Sequence, residues 1–335
     1  MKAFLALLHA RNLEFYRDRA ALSWALVFPL LILVGCAVIF AEPDDHVFTV
    51  GLHGDSQALR QQEALDRPYL QLIDYDDLDR ALQRVGHHQL DLLLSSTGQG
   101  RYWINPESAR GRAARDSLAA DLTGFEAGQL SGQRIRYVDW VLPGVLGMNI
   151  MFAALFGVGY VIVRYRQNGV LKRLQATPLT PLTFLAAQTT SRLLIVLAVT
   201  AVIFIGCEWL LDILVLGSRW LLLWIALAGA LAMVALGLLI SSRVASEELA
   251  GGLLNVTTWP MLLLSEVWFS LDTAPNWVQQ LSGLLPLTHV VHAGRAVMVE
   301  GAGWAEVAPH LLALGAMTAL MLGSAAWLFR WHSGR

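Results

Sequence analysis

The chain has 335 residues, 56% of them hydrophobic and 15% charged, and a formal net charge of −2 at pH 7. Soluble globular domains carry about 25% charged residues. The composition therefore excludes an ordinary soluble protein and a disordered one, and the lack of a basic excess excludes a nucleic-acid binder. A multi-span membrane protein is the class that fits. Cys36 and Cys207 both fall within apolar runs, so no disulfide framework is visible.

In chain order, residues 1–19 mix Phe4, Leu7, Leu8 and Phe15 with Arg11, Arg17 and Arg19, the pattern of a helix lying on a membrane surface. A polar tail is the rival reading. At roughly 20 apolar residues per crossing, six spans are expected: 20–41, 141–163, 184–207, 220–240, 250–269 and 311–329. Gln188, Thr189, Thr190, Ser191 and Arg192 crowd the start of the third, and Asn255 and Pro260 interrupt the fifth. In the first, Leu33-Val34-Gly35-Cys36 has the form of a lipid-attachment box. The apolar run continues through Phe40, however, as an uncleaved anchor does. Lys2, Arg11, Arg17, Arg19, Arg164, Arg166, Lys172, Arg173, Arg243, Arg330 and Arg335 fall on one side of the spans, and Arg219 and Arg295 on the other. The positive-inside rule then puts both termini in the cytoplasm.

Residues 42–138 read differently. Strands at 47–53, 70–75, 90–94 and 101–104 alternate with helices at 56–66 and 77–85, and a long helix over 112–129 is expected to lead into the second span. This is the pattern of a small α/β domain with a mainly parallel sheet. Long segments translocate largely regardless of charge, so it is expected outside the cytoplasm. No glycine-rich phosphate loop or nucleophile elbow appears in it. His87-His88 suits a solvated turn, and Asp74, Asp76, Asp77 and Asp79 suit a helix N-terminus rather than a calcium loop.

The segment from Arg164 to Pro181 is the most informative. Asn168-Gly169 breaks the long helix of the second span. Val170, Leu171 and Leu174 then recur at helical spacing beside Lys172 and Arg173, until Pro178 and Pro181 stop the element. A helix of about two turns is unstable alone, so it needs either a docking partner or the membrane surface. A P-loop is excluded: it requires Gly-Lys-Ser/Thr, and neither of the two lysines, Lys2 and Lys172, follows a glycine.

Leu142-Pro-Gly-Val-Leu-Gly147, followed by Arg166-Gln-Asn-Gly-Val-Leu-Lys-Arg-Leu-Gln-Ala-Thr-Pro-Leu179, resembles the type-2 (ABC-2) permease family of ABC transporters. Phe28-Pro29-Leu30, Pro275-Asn-Trp277 and Leu285-Pro-Leu-Thr288 extend the resemblance over nearly the whole chain. Asn168 stands where a basic residue is common in the family, and Gln167 where Glu is common. The resemblance implies a permease subunit of the bacterial inner membrane that exports a small amphipathic compound, lipid or drug by alternating access. It implies a coupling helix at about 165–180, carried by Gly169, Val170, Leu171, Lys172, Arg173, Leu174, Thr177 and Pro178 and seated on a separate ABC ATPase. It also implies pairing with a second copy or a paralogue. ATP and Mg²⁺ would bind the ATPase; this chain would have no catalytic residues, cofactor or metal of its own.

Ionisable groups at membrane depth are functional candidates. Arg192 and Glu266 are the two singled out here, whereas Glu208 and Asp212 suit a solvated outer rim. His289 and His292 stand three apart, but no third metal ligand is evident in sequence. Gly144 with Gly147, and Gly157 with Gly159, suit close helix packing. The halves of 272–301 are each too short to span. They are expected to form a re-entrant helix pair on the outer side, with Pro275 in the first turn of one helix and Thr288 capping the other.

The expected fold is thus a membrane all-α body of six helices, N-in and C-in, with a small extracytoplasmic α/β domain between helices 1 and 2. Its parts are residues 1–41, 42–138 and 139–335. The competing function is a membrane sensor or scaffold whose outer domain binds a ligand.

Overall fold

The computed structural model describes residues 2–39, 48–60, 65, 67, 69–97, 100–119, 122–132, 135–170, 173, 181–244, 246–271 and 274–328. The chain divides into two compact units, one made of Met1–Ile39 with Tyr137–Arg335 and the other of Phe40–Arg136. The first unit begins with α1 (Lys2–Arg17) and α2 (Arg19–Ile39), joined at Asp18. Helix α2 runs through Cys36 without a break.

The second unit follows as β1 (Phe48–His53), α3 (Ser56–Arg60), β2 (Leu70–Tyr75), α4 (Leu78–Gly86), β3 (Leu92–Ser95), β4 (Arg101–Ile104), α5 (Ala109–Ser117) and β5 (Glu126–Gln129). The strands form one sheet in the order β2-β1-β3-β4-β5. Pairing is parallel except between β3 and β4. Leu92, Leu93 and Leu94 show why the run has no polar alternation. Leu92 and Leu94 join Val50, Leu52 and Ile104 in a core with Ala114 of α5 and Leu118 just after it, while Leu93 faces Ala81 and Val85 of α4 in a second core. The Asp77 side chain accepts the Asp79 N–H at 3.0 Å, capping α4.

The expected long helix over 112–129 is not there. Helix α5 stops at Ser117, Gly124 adopts φ +112°, and 126–129 pairs with β4 as β5. A helical reading of this stretch missed the backbone reversal that a glycine with positive φ permits.

The first unit resumes with α6 (Tyr137–Gln167), α7 (Pro181–Leu211), α8 (Arg219–Ser241), α9 (Glu247–Leu264), α10 (Asn276–Ser282), α11 (Pro286–Glu300) and α12 (Trp304–Leu328). At 1.5 Å per residue, the 31 residues of α6 reach about 46 Å. It is the central helix: Leu142, Met151, Leu155 and Ile162 are fully buried, and α2, α7, α8, α9 and α11 pack around it.

Among the described residues five helices are long and apolar enough to cross a membrane: α2, α6, α7, α8 and α12. The expected fifth of six spans is α9, which begins at Glu247 rather than 250 and ends at Leu264 rather than 269. Glu247 and Glu248 in its first turn, with Asn255, Thr257 and Thr258 further along, keep it outside that set. Pro275 is the N-cap of α10 rather than part of its first turn. Leu285 caps α11, with Pro286 as its first residue and Thr288 inside the helix.

Asp91 is 5% exposed, accepts the Thr49 N–H at 2.8 Å and pairs with Arg110 at 3.3 Å. Asp91→Ala orphans that N–H and should destabilise the small α/β unit by about 1–3 kcal/mol. The check is limited proteolysis of the whole chain: cleavage within 48–129 should accelerate while 137–328 stays resistant.

Candidate functional site

Helix α6 ends where the sequence breaks it. Gly169 adopts φ +67°, a left-handed conformation that glycine enters without a Cβ penalty. Beyond it, the Arg173 N–H donates to the Gly169 carbonyl at 3.1 Å. Of the expected coupling-helix residues, Gly169, Val170 and Arg173 are described. Leu171, Lys172, Leu174, Thr177 and Pro178 lie outside the described residues.

The end of α6 is tied down by Arg166, which in sequence reads as a cytoplasmic-side charge and as the start of the family-like motif. Arg166 is 6% exposed, and its guanidinium reaches the end of α8. Nη1 donates to the Ser241 carbonyl at 3.1 Å and to the Val244 carbonyl, and Nη2 donates to the Ser242 carbonyl at 3.1 Å. The last carbonyls of a helix have no partner within it and carry the negative end of its dipole, so a guanidinium fork satisfies both needs.

A second network binds α1 to the same end. Glu14 accepts from Arg11 at 2.6 Å, from Arg164 at 3.2 Å and from the Tyr165 hydroxyl at 3.0 Å. The Ser191 hydroxyl of α7 donates to Asn12 at 2.6 Å. Beside it, the Arg192 Nε donates to the Ala153 carbonyl of α6 at 2.6 Å, and the guanidinium carbon lies 5.8 Å from the centre of the Phe15 ring.

At the opposite end of α6, Glu266 follows α9 in the left-handed region, φ +54°. Arg295 of α11 donates to its carboxylate at 3.2 Å and to its backbone carbonyl at 2.7 Å, while the guanidinium carbon lies 3.8 Å from the centre of the Trp140 ring. The His292 ring stands 3.4 Å from the same carboxylate. Gly144 of α6 makes room here, since a Cβ would stand 2.6 Å from the Val267 carbonyl oxygen. His310 of α12 also arrives, with 3.0 Å between the Nδ1 atoms of His289 and His310. Spacing could not have shown this, because His310 lies 21 residues on. Among the described residues no group of three or more His, Cys, Asp or Glu is placed to hold a metal ion.

Between α6, α7, α8 and α11 lies a half-open cavity of about 250 Å³. Leu146, Ile150, Phe204, Leu222 and Met298 give it an apolar wall, with Glu208 and Arg219, an ion pair, also lining it. Thr200 also lines it, and its buried hydroxyl has no hydrogen-bond partner among the described residues. Neither Arg192 nor Glu266 lines this cavity.

The model of the ABC-2 type transporter family matches residues 89–299, more than half of the chain. The chain belongs to the ABC-2 type transporter family. Both buried arginine clusters, at Arg166 and at Glu266–Arg295, fall within the matched residues.

Three curated relatives agree. The chain is 26% identical over 183 residues to the inner membrane transport permease YhhJ of Escherichia coli K12, covering 54% of this chain and 49% of the relative. It is 28% identical over 196 residues to the probable multidrug ABC transporter permease YbhR of the same organism, covering 58% and 53%. It is 25% identical over 203 residues to the daunorubicin resistance ABC transporter permease protein DrrB1 of Streptomyces coeruleorubidus, covering 58% and 69%. The chain spans about half the length of the first two. Like these relatives, this ABC-2 chain is a multi-pass membrane protein.

Burial holds the His289 imidazole below its usual 6.5, and the charge of nearby His292 adds to the shift, against a bond to the Gly283 carbonyl that opposes it. A histidine kept neutral in the fold takes up more protons when unfolded, so stability falls as pH drops through about 6.5. The melting temperature of the detergent-solubilised protein should fall between pH 7.5 and 5.5, and His289→Asn should flatten that slope.

Proposed function

We propose that this chain is the membrane-spanning permease subunit of an ATP-driven exporter for small amphipathic compounds. The observation that carries the reading is the family match over 89–299, which contains the helix break at Gly169 with its basic, apolar sequel. Both termini lie in the cytoplasm, α9 is the sixth, less apolar crossing, and the α/β unit stands outside. Segment 169–177 is the coupling helix and docks on a separate ABC ATPase, which binds ATP and Mg²⁺. A second copy or paralogue completes the pathway.

The cavity supports that substrate class, since its apolar wall and the charged pair at Glu208 and Arg219 suit a molecule with an apolar body and a polar end. Relatives named for multidrug transport and daunorubicin resistance are consistent with that chemistry. Export then requires that ATP binding favour one of two arrangements of the helices, with the size of the shift set by the difference in affinity for the two. The coupling helix would carry that preference to α6, and Arg166 and Glu14 would spread it to α8 and α1.

The test is affinity purification of the tagged chain from native membranes, then an ATPase assay with amphipathic substrates. An ABC ATPase should co-purify, and substrate should stimulate it. Val170→Asp with Leu174→Asp should cut stimulation about tenfold or more, the size expected when a buried apolar contact is replaced by charge, while the chain remains in the membrane. Absence of any ATPase, or full stimulation by the double variant, would refute the reading.

A further inference from the structure

A second cavity, of about 160 Å³, lies between α1, α6 and α7 and is distinct from the export cavity. Three guanidinium groups line it, from Arg11, Arg164 and Arg192, against two carboxylates, Glu14 and Asp18. Glu14 is already shared by Arg11 and Arg164. Among the described residues no carboxylate lies within ion-pair distance of Arg192, whose recorded hydrogen bond is to the neutral Ala153 carbonyl. A part-buried cation without a counter-charge is costly, and a basic pocket between membrane helices is the chemistry that takes anionic headgroups.

Three further observations give the cavity the form of a built site. Gln188 lines it and is 2% exposed, and its buried Oε1 accepts from no group among the described residues. An acceptor held in this way calls for a ligand that brings an O–H or N–H. Gly157 leaves the space in which the Arg192 guanidinium lies, because a Cβ there would coincide with it. Helix α1, which roofs the cavity, turns Leu5, Leu13 and Tyr16 outward at 54%, 37% and 60% exposure. A helix with apolar residues on its outer side and arginine on its inner side sits at the boundary between headgroups and acyl chains, so the cavity opens at headgroup level.

From this geometry we infer that the cavity binds a phosphate group, held by the Arg192 and Arg11 guanidinium groups, with a hydroxyl next to that phosphate donating to Gln188. Guanidinium forks match phosphate oxygens bidentately. An anionic phospholipid with a glycerol headgroup supplies both features. Free phosphate shares the recognised group without the adjoining hydroxyl. The inference needs only that α1 lies against a leaflet, and it stands or falls separately from the ATPase partnership.

The test uses the full chain in phosphatidylcholine nanodiscs doped with phosphatidylglycerol, read by native mass spectrometry of retained lipid and by melting temperature. Wild type should retain phosphatidylglycerol over phosphatidylcholine, and its melting temperature should rise to a plateau as the phosphatidylglycerol fraction grows. Arg192→Gln should weaken retention about tenfold, the effect of one charge-assisted phosphate contact. Arg243→Gln, which removes an exposed charge elsewhere, should not. Inorganic phosphate in undoped discs is the second arm. Binding there that depends on Arg192, with no phosphatidylglycerol preference, supports the site and assigns it to soluble phosphate. Equal retention by wild type and Arg192→Gln, with no Arg192-dependent phosphate binding, overturns the inference. If Arg192→Gln does not fold, the wild-type titration decides alone: no plateau in either arm overturns it.

Discussion

The bond from Arg166 to the end of α8 is the interaction on which the membrane unit depends. A helix that finishes near a membrane leaves carbonyls that neither the helix nor the hydrocarbon can satisfy. Ser241, Ser242 and Val244 present theirs together, and the guanidinium of Arg166 meets all three. Hydrogen bonds to a charged group contribute roughly 1.5–3 kcal/mol each, and removing this donor would strand three acceptors at once. Because α6 carries Arg166 one turn before Gly169, the bond to α8 and the break of α6 lie within one turn of each other.

The opposite end of α6 repeats the device. Arg295 bonds both a carboxylate and a backbone carbonyl of Glu266, stacks on Trp140, and so joins α11 and the residue after α9 to α6. The central helix is therefore held at both ends by arginines that bond main-chain oxygens, while its middle is held by close apolar contact with α8. A rod fixed in this way would move as a unit, which the proposed alternation between two arrangements requires.

How much of this is legible in sequence depends on whether the signal is local. The strands at 70–75 and 101–104, the acidic helix N-terminus at 76–79 and the break at Gly169 are set by neighbouring residues, and the structure matches them. The stretch 112–129 misled because its composition is helical while its outcome depends on pairing with β4, a non-local choice. The site was harder still. Arg166 and Arg295 read as loop charges that orient spans, and nothing in their spacing points to carbonyls 75 residues away or to Glu266. Arg192 and Glu266 were identified as unusual for their depth. Depth alone did not show that one lies under α1 and the other is tied to Arg295.

The most direct measurement of the central claim is coupling in Arg166→Gln, assayed as the permease–ATPase complex in nanodiscs. If Arg166 carries motion from the coupling segment to α8, the ATPase will still co-purify in near-normal amount, the melting temperature will fall, and substrate-stimulated ATP hydrolysis will drop about tenfold or more. A variant with unchanged melting temperature and full stimulation would contradict the account.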